Sequence, residues 1–203
     1  MVMRNPDHDS PTKQKLLEAA QALMLASGYT ATSVDDVCEA AKLTKGSFFH
    51  YFESKEHLGM EVAERFFVAK KEVLLSAPFR RKKDPLERVF GYVDLLIEMS
   101  RRPEAGNGCL LGTFVQELSG SHPKIRRVCA DCFAEQCADL TRDLEEAKAA
   151  HVPRARWSPQ SLAEHLVAIL QGSLILAKAK QDPKVLQTSL EHFKEYLKCV
   201  FDR

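Results

Sequence analysis

Apolar residues recur along this chain at steps of three and four almost from end to end, the spacing that puts them on one face of a helix. Leu16, Ala19, Ala20, Leu23 and Met24 form the first such stripe, opened by Ser10-Pro11 and closed by Gly28-Tyr29. A hydroxyl followed by proline suits a helix start, and glycine suits a helix end. Val34, Val37, Cys38 and Ala41 form a second, shorter stripe after Thr32-Ser33, with Asp35 or Asp36 as the acidic half of a capping box. Lys42-Leu43 then makes a tight turn, and Thr44 caps a third helix, read over Thr44 to Lys55. Two short helices joined by such a turn make a helix-turn-helix.

Beyond this point the helical period persists. Leu58, Val62, Phe66, Ala69 and Val73 mark a long helix from about Ser54 to Ser76, which Pro78 and the basic run Arg80-Arg81-Lys82-Lys83 interrupt. That run reads as a solvated loop. Asp84-Pro85 starts a helix to about Arg101, Pro103 to Gly108 form a turn, and Cys109 to Leu118 is a short apolar helix. Pro123 to about Ala150 follows, with Ile125, Cys129, Cys132, Gln136, Leu140, Leu144 and Ala147 on one face. Ser158-Pro159 opens a helix to Lys180, and Asp182-Pro183 opens the last, through Leu186, Leu190, Phe193, Leu197 and Val200. No alternating run is flanked by hairpin turns, so strands are not expected. The pattern predicts an all-α protein of about nine helices: an N-terminal three-helix helix-turn-helix domain over residues 10–55 and a C-terminal helical bundle over 56–203. Residues 1–9 are polar and expected to fray.

The third helix carries the most telling chemistry. Thr44-Lys45-Gly46-Ser47-Phe48-Phe49-His50-Tyr51-Phe52 sets Phe48 and Phe52 on an inner face and short polar donors on an outer one. Aromatic packing fixes such a helix from behind and leaves its polar side free for base edges and phosphates. Taken singly, each residue is ordinary: Cys38 reads as a small buried hydrophobe, and Lys55 as one more solvated cation.

Their shared spacing changes that. Residues 12–58 resemble the DNA-binding domain of the TetR family of bacterial repressors, through Ala19-Ala20, Gly28-Tyr29, Thr32-Ser33-Val34, Ala40-Ala41, Thr44-Lys45-Gly46-Ser47, His50-Tyr51-Phe52 and Ser54-Lys55-Glu56-His57-Leu58. The resemblance implies phosphate contacts by Thr32 and Ser33, and a recognition helix on which Thr44, Lys45, Gly46 and Ser47 face base edges. It also implies base or backbone contacts by His50 and Tyr51 and a phosphate clamp at Lys55. Two positions depart from the family pattern. Phe49 replaces a tyrosine whose hydroxyl reaches a phosphate, a bond worth about 1.5–3 kcal/mol at most, though its ring can still meet a sugar or a thymine methyl. Lys42 replaces a glycine and is expected to hold a left-handed backbone at a cost of about 1 kcal/mol.

Charge does not by itself favour DNA. Lysine and arginine total 29 against 28 acids, and the first 60 residues hold Arg4, Lys13, Lys15, Lys42, Lys45 and Lys55 against Asp7, Asp9, Glu18, Asp35, Asp36, Glu39, Glu53 and Glu56. Affinity must then come from a few placed cations, helix N-termini and the doubling of contacts in a dimer, with a shallow dependence on salt. In the resembling family the last two helices pair with their copies in a second subunit, and Gly172-Ser173 offers small residues for a close approach. The expected partners are thus double-stranded DNA carrying a pseudo-palindromic operator, a second copy of the chain, and a small effector. Phe66, Leu96, Met99, Leu110, Phe114, Phe133, Leu170 and Leu174 are the candidate pocket lining.

Gly106-Asn107-Gly108-Cys109-Leu110 resembles a motif in one branch of these regulators, some of which sense electrophiles or oxidants through the cysteine. Lys178 matches a lysine that some of them place near it. A thiol at a helix start meets unpaired N–H groups, which in general favours thiolate. The alternative is that Cys109 only packs. Cys129-x-x-Cys132 lies within a helix and has no second pair at matching spacing, so no metal is expected, and no cofactor either. Nor does the chain bring together a Ser/His/Asp set, a carboxylate pair or a Glu-x-x-His repeat, which argues against an enzyme. Six cysteines without an apolar N-terminal run, and no 18-residue apolar stretch, point to a reduced cytoplasmic protein without a membrane span.

Overall fold

The computed structural model describes residues 10–102, 105 and 108–202. The expected fraying of residues 1–9 and most of the turn at 103–108 therefore lie outside the described residues. Among those described there are nine α-helices and no strand. They are α1 (Pro11–Ser27), α2 (Val34–Ala41), α3 (Lys45–Tyr51), α4 (Lys55–Ser76), α5 (Pro85–Ser100), α6 (Leu110–Leu118), α7 (Pro123–His151), α8 (Pro159–Lys180) and α9 (Lys184–Val200).

The chain forms two compact units, and their boundary does not follow chain order. The first takes the residues up to Val68 together with Cys109–Ala130, and the second takes Ala69–Gly108 with the residues from Asp131 onward. Helices α4 and α7 each contribute to both. The short helix α6, far from the N-terminus in sequence, thus belongs to the same unit as the helix-turn-helix.

In the first unit the buried centre is Leu16, Ala20, Met24, Val37, Phe48, Phe52, Leu58, Val62 and Phe114, all at or near zero exposure. Phe48 and Phe52 take the inner positions their spacing predicts, with ring centroids 5.5 Å apart. Lys13 is buried with them. The Lys13 ammonium lies 2.7 Å from Glu61 and 5.5 Å from the centre of the Phe52 ring, so its charge is matched where water is scarce.

The second unit has its own core, in which Leu86, Val89, Tyr92, Val93, Leu140, Leu144, Leu166, Leu190, Phe193 and Leu197 pack together from α5, α7, α8 and α9. Gln136 donates to the Tyr92 hydroxyl at 3.4 Å, and burial raises that phenol above its ordinary pKa. Here the basic run departs from expectation. Pro78–Arg81 forms a 3-10 turn rather than a loop. Arg80 reaches the buried Asp143 at 2.5 Å, while Arg88 meets Asp143 at 2.8 Å and also pairs with Glu146. Only Arg81, Lys82 and Lys83 stay exposed.

Helix α8 also departs from expectation. Its 22 residues are long and apolar enough to cross a membrane by length and composition, contrary to the expectation that no such stretch exists. The residues explain why. Leu162, Ala163, Leu166 and Ala177 face the core, while Ile175 and Leu176 are about half exposed on the opposite side, so the helix is apolar on two faces. One helix of this kind is weak support for a membrane span.

Candidate nucleic-acid interface

The start of α2 is fixed by a reciprocal capping box. Ser33 Oγ accepts from Asp36 N at 3.1 Å, and Asp36 Oδ2 accepts from Ser33 N at 2.7 Å, which makes Asp36 rather than Asp35 the acidic partner. These bonds hold the exposed Asp36 carboxyl below its ordinary pKa. At the other end Lys42 has φ 55° and ψ 43°, the left-handed conformation expected of it, and Leu43 N donates to Cys38 O at 2.9 Å. That geometry reverses the chain within two residues and delivers Thr44 to the start of α3.

Thr44 caps α3, its Oγ1 accepting from Ser47 N at 3.1 Å. Phe48 is sealed, whereas Thr44, Lys45, Gly46, Phe49 and His50 are all exposed. Phe49 is 58% exposed and stands edge-on to Phe48 at 5.1 Å, so its ring is held but not covered. A Cβ at Gly46 would meet only Thr44 Oγ1 at 3.6 Å, so packing within the chain does not demand glycine there. The Lys45 ammonium sits 2.8 Å from Asp35, whose hydrogen bond raises the lysine's pKa. Exposed pairs of this kind exchange readily for a stronger anion. Tyr51 is half-buried, and its hydroxyl shares a 2.8 Å hydrogen bond with Ser10 Oγ.

Two expected phosphate contacts look different in the structure. Thr32 is 2% exposed, with its hydroxyl donating to Gly28 O at 2.8 Å, so that side chain staples a turn and Ser33 alone of the pair is at the surface. The Lys55 ammonium points inward. It donates to Tyr29 O at 2.9 Å and Thr32 O at 2.7 Å and lies 4.2 Å from the centre of the Tyr29 ring. Desolvation lowers its pKa, with Glu117 and Asp36 opposing the shift.

The α1–α2 turn that Lys55 secures is also held by α6. Glu117 accepts from Tyr29 N at 2.8 Å and from Thr30 N at 2.7 Å. Partial burial alone would raise its pKa, but the hydrogen bonds from Thr30 and Tyr29, with Lys55 close by, outweigh burial and leave it below the ordinary carboxylate range. The Tyr29 ring packs edge-on against Phe114 at 5.7 Å and His122 at 5.1 Å. Burial, reinforced by Glu56 and Glu117, pushes the Tyr29 phenol up to about 12. Sequence reasoning missed Glu117, since an acid at the end of a short helix gives no sign of a partner 87 or 88 positions away.

The remaining candidates divide between the units. Phe66, Leu110 and Phe114 are buried in the first, where Cys109, 9% exposed, is the residue preceding α6. Leu96, Met99, Phe133, Leu170 and Leu174 are half-buried in the second. Lys178 also belongs to the second, where its Cε and Nζ would lie 3.1 and 3.3 Å from a Cβ at Gly108. The second unit also bears an open groove of about 730 Å³ along α7 and α8, in which Phe133 is joined by Cys137, Thr141, Gln160, Glu164 and Val167. Cys38, Cys129 and Cys132 are buried, and Cys199 is exposed. Among the described residues no group of three or more His, Cys, Asp or Glu side chains could hold a metal ion.

A capped, outward-facing helix after a tight turn, on an all-helical chain, defines a helix-turn-helix DNA-binding protein. Residues 16–62 match the family described as "Bacterial regulatory proteins, tetR family", and residues 85–193 match "Tetracyclin repressor-like, C-terminal domain". The chain belongs to the TetR family of transcriptional regulators, which are not enzymes. It is 28% identical over 193 residues to the HTH-type transcriptional repressor DhaR of Mycobacterium sp. (strain GP1), covering 95% of this chain and 92% of that protein. It is 25% identical over 194 residues to the HTH-type transcriptional repressor NemR of Escherichia coli (strain K12), covering 96% of each. Among solved structures, a regulatory protein TetR from Rhodobacter sphaeroides superposes with a TM-score of 0.79 at 26% identity, covering 92% of this chain and 98% of the other. The reduced form of E. coli NemR superposes with a TM-score of 0.77 at 25% identity, covering 92% and 97%.

Proposed function

We propose that this regulator is a cytoplasmic homodimeric repressor that binds a pseudo-palindromic operator through α3 and releases it when a small, largely apolar effector binds. The observation that carries this reading is α3 itself. Its inner face is closed by Phe48, and its exposed face offers Thr44, Lys45, Gly46, Phe49 and His50. One such helix with so few cations grips DNA weakly, and two copies one helical turn apart, about 34–36 Å, double the contacts. The uncovered side of α8 and α9 supports pairing: Ile175, Leu176 and Tyr196 are each about half exposed, and Gly172 faces open space. Leu96, Leu170 and Leu174, half-buried at the margin of the second core, offer apolar surface for an effector. A full switch needs about 5.5 kcal/mol of preference for one state, within reach of an apolar ligand of moderate size.

Gel shift and footprinting on the DNA flanking the protein's own gene test this reading. A protected two-fold symmetric site is expected; a folded dimer that ignores all such DNA would sink it.

A second reading makes Cys109 a thiol sensor. Supporting it are the position of Cys109 immediately before α6 and the similarity to E. coli NemR, whose solved structure is of a reduced form. Cys109→Ser protein that still leaves its operator normally under electrophile or oxidant treatment would eliminate this reading.

A further inference from the structure

The first 60 residues are formally acidic, which leaves open where a DNA-binding unit finds its positive charge. Most of its cations are already engaged. Lys13 is paired with Glu61, Lys45 with Asp35 and Arg65 with Glu18, while Lys55 is turned onto two carbonyls. The first unit, however, also contains the start of α7, where Lys124, Arg126 and Arg127 are all exposed. Among the described residues no carboxylate pairs with Arg126 or Arg127, and Lys124 is only loosely paired, at 3.5 Å from Glu56. The three long side chains rim a shallow hollow of about 550 Å³ over Pro123 and Ala130.

The strip is tied to the part of the unit that carries the interface. Glu56, the partner of Lys124, follows Lys55 directly on the first turn of α4. His122 packs edge-on against Tyr29, whose carbonyl, with that of Thr32, holds the Lys55 ammonium beside the start of α2. Ile125 would lie 3.2 Å from a Cβ at Gly59, so α7 packs closely on α4 here. We propose that Lys124, Arg126 and Arg127 form a second, sequence-independent DNA contact that takes backbone phosphates flanking the operator half-site. This rests on the DNA-binding reading above and adds a surface outside the helix-turn-helix. Charge complementarity selects the occupant: two unpaired arginines beside a loosely paired lysine, on a unit otherwise poor in cations, suit a polyanion, and bare arginines suit phosphate in particular.

The test uses the full chain and a duplex selected by the protein from a random pool, with the affinity followed from 50 to 300 mM salt. Each phosphate contact adds about 0.9 to the slope of log affinity against log salt, so each arginine that engages in both protomers contributes about 1.8. Arg126→Ala/Arg127→Ala is expected to flatten the slope by about 2–4 and to weaken specific and random duplexes by the same factor. Trimming the duplex to the half-sites alone should erase the difference between variant and wild type. Lys82→Ala/Lys83→Ala, exposed residues of the other unit, removes the same charge and should leave the slope unchanged. An unchanged slope in the arginine variant, or equal flattening in both variants, overturns the inference while leaving the repressor reading intact. A wild type that selects no duplex overturns both.

Discussion

Replacing Glu117 by alanine removes the carboxylate that holds α6 to the α1–α2 turn and leaves two backbone N–H groups, those of Tyr29 and Thr30, without their acceptor. Hydrogen bonds to a charged acceptor are worth about 1.5–3 kcal/mol each, but Glu117 and Thr30 are exposed and water replaces much of what is lost. A net destabilisation of about 2 kcal/mol follows for Glu117→Ala, and about 1 kcal/mol for Glu117→Gln, which keeps an oxygen but not the charge. Because the folded carboxyl lies below its ordinary pKa, this contribution is fully present above the unfolded value, near pH 4.3, and is lost as the pH falls through the folded one. Urea unfolding of wild type and both variants at pH 7 and at stepwise lower pH reads the magnitude. Amide exchange at Tyr29 and Thr30 reads the location. Should Glu117→Ala stay within about 0.5 kcal/mol of wild type at pH 7, with both amides exchanging as before, the grip assigned to Glu117 is wrong.

Three further outcomes are expected. Lys42→Gly relieves the left-handed strain at φ 55° and should raise stability by about 1 kcal/mol in thermal melts, a loss of stability being the contrary result. Gly91→Ala drives a Cβ into that of Phe79, and the overpacking should cost about 1–3 kcal/mol in denaturant midpoint; a variant as stable as wild type would show that the 3-10 turn yields freely. Asp143→Ala leaves Arg80 and Arg88 without their shared buried carboxylate and should cost about 3 kcal/mol, recoverable in part by Asp143→Glu, with melting temperature as the measure.

The local features of the interface were legible because they are made by neighbours in sequence. Ser33 and Asp36, Thr44 and Ser47, and the turn at Lys42 each satisfy backbone groups within a few residues, so residue type and spacing suffice to read them. The same holds for the inner positions of Phe48 and Phe52, fixed by helical period alone. What spacing could not reveal was how polar side chains are used once the chain has closed on itself. Lys55 and Thr32 match the family's pattern by type and offset, yet here both bond to carbonyls of the α1–α2 turn. Arg80 looked like a solvated charge until α7 brought Asp143 against it.

Periodicity, caps and turn residues are short-range signals, and they suffice to specify an all-helical chain with a helix-turn-helix at its start. What that helix-turn-helix is built into depends on long-range packing. Folding places α6 and the first turns of α7 in the same compact unit, where Glu117 and Phe114 brace Tyr29 and where Lys124, Arg126 and Arg127 add the charge that the first 60 residues lack. Those contacts join residues some 70 to 90 positions apart. Their pairing depends on packing rather than on local pattern, and no reading of either segment alone contains it.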